Sequence, residues 1–407
     1  MTVRFGRGSR RGFLAGASLT TLGLATGCAT PERLPPVPRP ETQQATVLGV
    51  PNERFYYLTD AAAVDAEFRA AGEREIRRLG IRPGGALPVS NLLAVSGGGE
   101  NGAFGAGLIN GWTVSGQRPV FNLVTGVSTG ALTAPFAYLG PAYDAQLRSV
   151  YTDITIQDVA ISRGLITGAL ADALADTAPL LTTISRYLDE TMLAAIAAAY
   201  DSGRLLLIGT TNLDAQTPVV WNIGAIAKSG HPGALDLIRK VLLASAAIPG
   251  AFPPVMIDVT VNGRSYQEMH VDGGAFAQAF LYPQAVGEGR TARRMRGERV
   301  REVHAWVIRN ARLDPEWSAV QRRTFGIASR AISTMIFTSG FNDVLRLYNR
   351  TQADGVDFNL AFIGSDFDKM PPEPFDQAFM RALFDYGFEQ GRAGGRWAKR
   401  PPLGTAT

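Results

Sequence analysis

The chain has 407 residues, 46% of them apolar and 19% charged, which excludes a disordered chain and suffices for one large core or two ordinary ones. One Cys excludes an internal disulfide framework, and three scattered histidines (His231, His270, His304) exclude the usual His/Cys zinc spacings. The net charge of +4 argues for no nucleic-acid partner: four Arg and no acid stand in residues 1–27, and the remaining 36 basic residues equal the 36 acidic ones.

Residues 1–27 begin positively charged and continue as an apolar, small-residue run ending Leu24-Ala25-Thr26-Gly27, the make-up of an export signal. The Arg10-Arg11 pair resembles a twin-arginine signal, and the ending before Cys28 resembles a bacterial lipobox, with Ala25 where Leu is usual. That resemblance implies an exported lipoprotein on the periplasmic side, anchored to a membrane surface through lipidated Cys28. Ala29 after the Cys favours the outer membrane. An ordinary cleaved signal with an incidental Cys is the alternative. Residues 28–58 read as a tether, because Pro31, Pro35, Pro36, Pro38 and Pro40 fix φ and remove donors. An extended, semi-rigid spacer is predicted there, holding the globular body off the membrane. Residues 59–82 form a helical lead-in, with Val64, Phe68 and Ala71 on one face and Gly80 as its stop. No later stretch reaches the roughly 18 unbroken apolar residues of a spanning helix.

From 83 to 396, apolar strands alternate with helical segments, which predicts a single α/β domain with a layered sheet. Asn91–Ser96 reads as a buried strand, followed by glycines and a helix from about Gly102. Phe121–Thr125 is another strand, followed by a sharp turn and an apolar helix. Leu205–Thr211 and Val219–Ile223 are strands joined near Asp214. Val255–Val261 and Arg264–Val271 flank Asn262-Gly263, a strong hairpin signal. Val303–Ile308 and Phe358–Ile363 are later strands, with helices predicted near 317–338 and 374–390.

Three motifs carry chemistry. Gly126-Val127-Ser128-Thr129-Gly130 lies between strand and helix, where a tight turn exposes a serine hydroxyl and the helix N-terminus favours negative charge beside it. Ser96-Gly97-Gly98-Gly99-Glu100-Asn101-Gly102 allows several backbone N–H groups to converge on one point, which suits an oxyanion. The spacing Gly97-x-Gly99-x-x-Gly102 also fits a dinucleotide fingerprint, but Asn122–Thr125 stands where that motif needs an acid. His270-Val271-Asp272-Gly273-Gly274 puts a carboxylate at a strand end; the alternative is a turn Asp capping its own backbone.

In this order, together with Thr210-Thr211-Asn212-Leu213-Asp214 and Ala244-Ser245-Ala246-Ala247-Ile248-Pro249-Gly250, the motifs resemble the patatin-like phospholipase family, closely over residues 90–280. The resemblance implies a three-layer α/β/α sandwich with a central, mostly parallel sheet. It implies a serine acyl hydrolase acting on membrane lipid or lipid-like acyl esters through an acyl-enzyme. Ser128 then becomes the nucleophile, Asp272 the base, and Gly97, Gly98 and Gly99 the oxyanion hole. Gly102, Gly126, Gly130, Gly273 and Gly274 are the remaining motif glycines. Where the family often has Arg or Lys before the last glycine of its Gly-rich motif, this chain has Asn101.

Serine acyl transfer implies no cofactor and no metal. An acyltransferase using the same serine, or a non-catalytic lipid-binding lipoprotein, are the other readings. In a Ser–His–Asp alternative only His270 is placed to act, and a packed structural histidine is the better reading of it. Residues 159–200 are an apolar insertion (Leu165, Ile166, Leu170, Leu174, Leu180, Leu181, Leu188, Met192, Leu193, Ile196), read either as core helices or as a lid or acyl-chain wall over Ser128. The stripe Phe375, Phe379, Leu383, Tyr386 reads as core.

Overall fold

A computed structural model describes residues 32–82, 85–162, 173, 175–317, 319–320 and 322–402. Among them nine strands form one sheet: β1 (Arg54–Tyr56), β2 (Ser90–Val95), β3 (Leu123–Val127), β4 (Leu205–Asn212), β5 (Thr217–Asn222), β6 (Val255–Val261), β7 (Arg264–Asp272), β8 (Val303–Arg309) and β9 (Asp357–Phe362). The order is β1-β5-β4-β3-β2-β8-β9, with β7 paired to β4 and β6 to β7. From β4 to β9 every neighbour is parallel, whereas β1, β5, β6 and β7 are antiparallel additions.

The helices are α1 (Ala61–Leu79), α2 (Gly102–Val114), α3 (Thr129–Leu139), α4 (Asp144–Thr152), α5 (Ala178–Tyr187), α6 (Glu190–Asp201), α7 (Ile223–Lys228), α8 (Ala234–Ser245), α9 (Gln284–Met295), α10 (Thr324–Asp354) and α11 (Gln377–Arg392). Side chains alternate across a strand, so each parallel strand feeds two cores. Leu93 and Val95 of β2 pack with Phe104 and Trp112 of α2, Ala134 of α3 and Leu383 of α11. Leu92 and Ala94 pack on the opposite face with Ala71 of α1 and Val344 and Leu347 of α10. The result is a mixed α/β sandwich of three layers around a mostly parallel sheet.

Local chemistry explains several boundaries. Gly80 ends α1 in the left-handed region at φ 63°. Asn262 and Gly263 take φ 49° and 76°, the pair of positive values that a two-residue hairpin turn requires, so β6 pairs along its whole length with Arg264–His270 of β7. The helix predicted near 317–338 instead spans Thr324–Asp354, because Gly340 does not interrupt it.

The Pro-rich stretch differs from the predicted spacer from Glu32 onward. Thr46 bridges to Thr260, the Gln267 N–H donates to the Pro35 carbonyl at 3.1 Å, and Ala45, Val47 and Val50 are buried. The prolines do not prevent local order: Pro38 and Pro40 open a short 3-10 helix at Arg39–Gln44, and apolar side chains after it dock on the β6–β7 hairpin. Cys28, the 1–27 segment, Leu165, Ile166, Leu170 and Leu174 lie outside the described residues. Among the described residues no helix is long and apolar enough to cross a membrane.

Candidate active site

The C-terminal ends of the parallel strands bring three loops together. β3 runs into Ser128, which holds φ 57° and ψ −129° immediately before α3. A positive φ is costly for a residue with a side chain, and surrounding packing must impose it. Glycines on both sides allow this: a Cβ on Gly126 would lie 2.5 Å from the Gly130 carbonyl, and one on Gly130 would strike the Val95 carbonyl of β2. The Ser128 N–H donates to Ser245 Oγ at 3.0 Å, and Ser245 Oγ donates to the Gly209 carbonyl at 2.7 Å. Ser245 thus locks the turn from the end of α8. It belongs to a segment conspicuous in the sequence, yet nothing local to that segment indicates what it touches.

Asp272 arrives by another route. The last three residues of β7 pair antiparallel with β4, setting Asp272 opposite Thr210, while Gly209 stands beside Val127 of β3. One strand position therefore separates the carboxylate from the serine turn. Gly273 lets the chain cross β4 closely, since a Cβ there would sit 2.5 Å from the Gly209 carbonyl. The Gly274 N–H donates to Asp272 Oδ1 at 2.7 Å. Burial pushes the Asp272 carboxyl up to about 6, opposed by the Ser128 hydroxyl hydrogen-bonding to it and by the Gly274 amide.

The Gly-rich loop after β2 completes the cluster. Gly102 presses on α3, where a Cβ would strike Thr129 Oγ1, itself bonded to the Tyr151 hydroxyl at 2.7 Å. Asn310 staples the loop, donating from Nδ2 to the Ser96 carbonyl at 2.9 Å and accepting from the Gly105 N–H at 3.0 Å. The three glycines are not equivalent. The Gly97 N–H is already spent on the Gln278 carbonyl at 3.2 Å, which corrects the expectation that it helps form an oxyanion hole. Among the described residues the amides of Gly98, Gly99 and Thr129 have no intramolecular acceptor, and Gly99 and Thr129 line the same pocket as Ser128. Gln278, absent from the sequence reading, also donates from Nε2 to the Gly274 carbonyl at 3.2 Å, so one residue ties the Gly-rich loop to the Asp272 turn. Its own N–H donates to Asp343 of α10 at 2.6 Å.

An apolar pocket opens on Ser128. Leu132, Phe136, Ile154, Leu180, Leu188 and Met192 line it, together with Gly99, Glu100 and Ser128 itself. The described part of the 159–200 insertion thus contributes both ways: Ile196 is core, and Leu180, Leu188 and Met192 face the pocket from within the core. His270 points elsewhere, bonded through Nδ1 to Thr210 Oγ1 at 2.9 Å and through Nε2 to Glu268 at 3.0 Å, so it orients nothing toward Ser128. Among the described residues no group of three or more His, Cys, Asp or Glu is arranged to hold a metal ion.

Comparison with known proteins bears on this arrangement. Residues 93–282 match the patatin-like phospholipase family. The patatin-like segment runs from β2 to the residues before α9, and it includes the Gly-rich loop, Ser128, Ser245, Asp272 and Gln278. No curated protein matches the chain. Among solved structures, the crystal structure of VipD from Legionella pneumophila is similar with a TM-score of 0.37 and 12% identity, over 76% of this chain and 67% of that one. That likeness is too distant to bear on the site.

Proposed function

We propose that the protein is a serine acyl hydrolase of lipid esters, of the phospholipase A or lysophospholipase type. Ser128 Oγ attacks the ester carbonyl while its proton passes to Asp272. The carbonyl oxygen becomes an oxyanion that accepts from the amides of Gly98 and Gly99, with α3's N-terminus behind it. Collapse breaks the carbonyl–alkoxy bond, and the proton on Asp272 goes to the leaving alcohol. Water, deprotonated by the same carboxylate, then releases the fatty acid from the acyl-enzyme and restores Ser128. The single observation that carries this reading is a strained serine whose hydroxyl hydrogen-bonds to a buried carboxylate, in the lining of an apolar pocket. The export signal and lipid attachment at Cys28 belong to the same proposal.

A fluorophosphonate probe tests it. Wild type is expected to take up one label and Ser128→Ala none; an unlabelled wild type would leave a lipid-binding protein. Comparison of aryl esters, lysophospholipids and diacyl phospholipids, with and without added glycerol, then separates hydrolysis from acyl transfer. Gly98→Ala is expected to slow labelling by about 10²–10³-fold, the usual effect of a lost oxyanion donor, because its Cβ would collide with the Asn310 carbonyl and displace the amide. The labelling rate and melting temperature of that variant, measured together, separate a displaced donor from an unfolded loop.

A further inference from the structure

The helix α10 is long, and among the described residues its buried side chains all lie in its second half. At about 1.5 Å per residue its 31 residues span roughly 46 Å. Val344, Leu347 and Thr351 are buried against the sheet and α9. Before Gly340 the helix carries Ile327, Ile332, Met335 and Ile336 at 52%, 50%, 70% and 37% exposure. Ile332, Met335 and Ile336 follow i, i+3, i+4 spacing and form one stripe, with Arg330 on the opposite side. Trp317, on the loop leading into this helix, is 90% exposed, and the Arg330 guanidinium donates to the Glu316 carbonyl beside it.

The position of this half is fixed by Gly340, where the helix backbone passes against the Arg309 guanidinium at the C-terminal end of β8. α10 returns along β9 in the opposite direction, so the residues before Gly340 continue past the edge of the sheet where Ser128 and the Gly-rich loop lie. Phe276, just after the Asp272 turn, and Met370, on the loop after β9, add exposed apolar surface at that edge.

Charge selects the occupant. From residue 317 to 342 the sequence holds Arg322, Arg323 and Arg330 and no Asp, Glu or Lys. Two copies pairing along this stretch would set six arginines together without a carboxylate. Residues 1–31, with four Arg and no acid, are no better complement. An anionic lipid surface suits this stretch: the apolar stripe enters it, Trp317 sits at the headgroup level, and the leaflet's negative potential attracts the net positive charge of Arg322, Arg323 and Arg330 without needing Arg330 to touch it. We propose that the projecting half of α10, with Trp317, seats the protein on an anionic bilayer and holds the Ser128 pocket against it; the inference deepens, and rests on, the reading of Ser128 as a lipid hydrolase.

Flotation with vesicles tests the docking apart from the chemistry. Every sample carries Cys28→Ser, to remove any acyl anchor, and Ser128→Ala, to keep the lipid intact. The parent is expected to float with phosphatidylcholine vesicles containing about 25 mol% phosphatidylglycerol and far less with phosphatidylcholine alone. Ile332→Asp/Met335→Asp/Ile336→Asp is expected to lower the bound fraction about tenfold or more at an unchanged melting temperature. Met335→Asp alone moves it in the same direction, should the triple variant fold poorly. With Ser128 intact, the triple variant keeps hydrolysis of a soluble aryl ester and loses hydrolysis of vesicular lipid. A parent that does not float overturns the proposal, as does a triple variant that floats as well as the parent. So does a parent dimer that these substitutions dissociate without affecting flotation. A protein that floats but hydrolyses no ester supports docking and overturns the reading of Ser128.

Discussion

Asp272→Asn is expected to slow acylation of Ser128 by about 10²–10⁴-fold, the usual contribution of a general base, and to raise the melting temperature near pH 8. The two effects have one cause. An ordinary Asp carboxyl has a pKa of 3.8, and burial lifts this one to about 6. Between those values the folded protein binds a proton that the unfolded chain has released, so rising pH in this window favours unfolding. Above about pH 6 the buried charge costs on the order of 3 kcal/mol. Asparagine keeps the shape and can still accept from the Gly274 amide, but it never ionises and escapes that cost. The variant's stability advantage should therefore grow from about pH 4 to about pH 6 and then level off. Wild-type acylation should follow the opposite logic, rising with the ionised fraction through an inflection near 6. Stability against urea and labelling rate across pH check both limbs. A variant that labels at the wild-type rate would remove Asp272 from the chemistry; one that loses both rate and stability would make it a structural residue.

The fold was more legible in the sequence than the site. Strand and helix positions follow from apolar periodicity, and the Asn262-Gly263 turn shows itself because only those residue types take positive φ in succession without strain. Gly126, Gly130 and Gly273 are readable for a related reason: each marks a place where another backbone passes too close for a Cβ. Nothing local to Gly-Val-Ser-Thr-Gly or to Val-Asp-Gly-Gly indicates that the two meet, since the register of β7 on β4 brings Asp272 to β3's end. That meeting was legible only through family resemblance. The state of the Gly97 amide was not legible at all, because its acceptor is the carbonyl of Gln278 on another loop. The boundary of α10 was missed for the opposite reason. Gly340 and Asn342 weaken the helical signal locally, but Gly340 is needed where the helix meets Arg309, and tertiary packing carries the helix on to Asp354. The prolines after residue 28 suggest an extended free spacer, yet from Glu32 on the chain holds a short 3-10 helix (Arg39–Gln44) and β1 and buries Ala45, Val47 and Val50: proline fixes φ but does not decide whether neighbouring side chains dock.

Glu268→Ala is expected to cost about 3–5 kcal/mol of unfolding free energy, the usual penalty for breaking a buried ion pair from one side. Glu268 and Arg54 side chains are both almost wholly buried, with Arg54 Nη1 2.5 Å from Glu268 Oε2 and Nη2 3.1 Å from Oε1. The Tyr56 hydroxyl at 3.1 Å and His270 Nε2 at 3.0 Å complete the carboxylate's partners. Burial works against this charge, yet His270 and Arg54 together hold the Glu268 carboxyl down to about 2. Without it, Arg54 retains, among the described residues, the Ala45 carbonyl, Glu53 at 3.8 Å and the faces of Tyr56 and Trp221. A depressed carboxylate pKa stabilises the fold fully above about pH 4.5 and ceases to do so as pH falls toward 2. The gap between wild type and variant should therefore close across that window. The double variant Arg54→Met/Glu268→Leu should recover part of the loss, since it removes the buried guanidinium that the single variant strands; buried Glu53 then keeps the Val47 amide but loses Arg54 as its cation. Because His270 and Asp272 lie on the same strand, labelling of Ser128 should fall in the single variant and return in the double one. Urea midpoints for the three proteins decide the matter: if the single variant unfolds at the wild-type concentration, the buried network does not hold β7, and the placement of Asp272 rests on the β4 register alone.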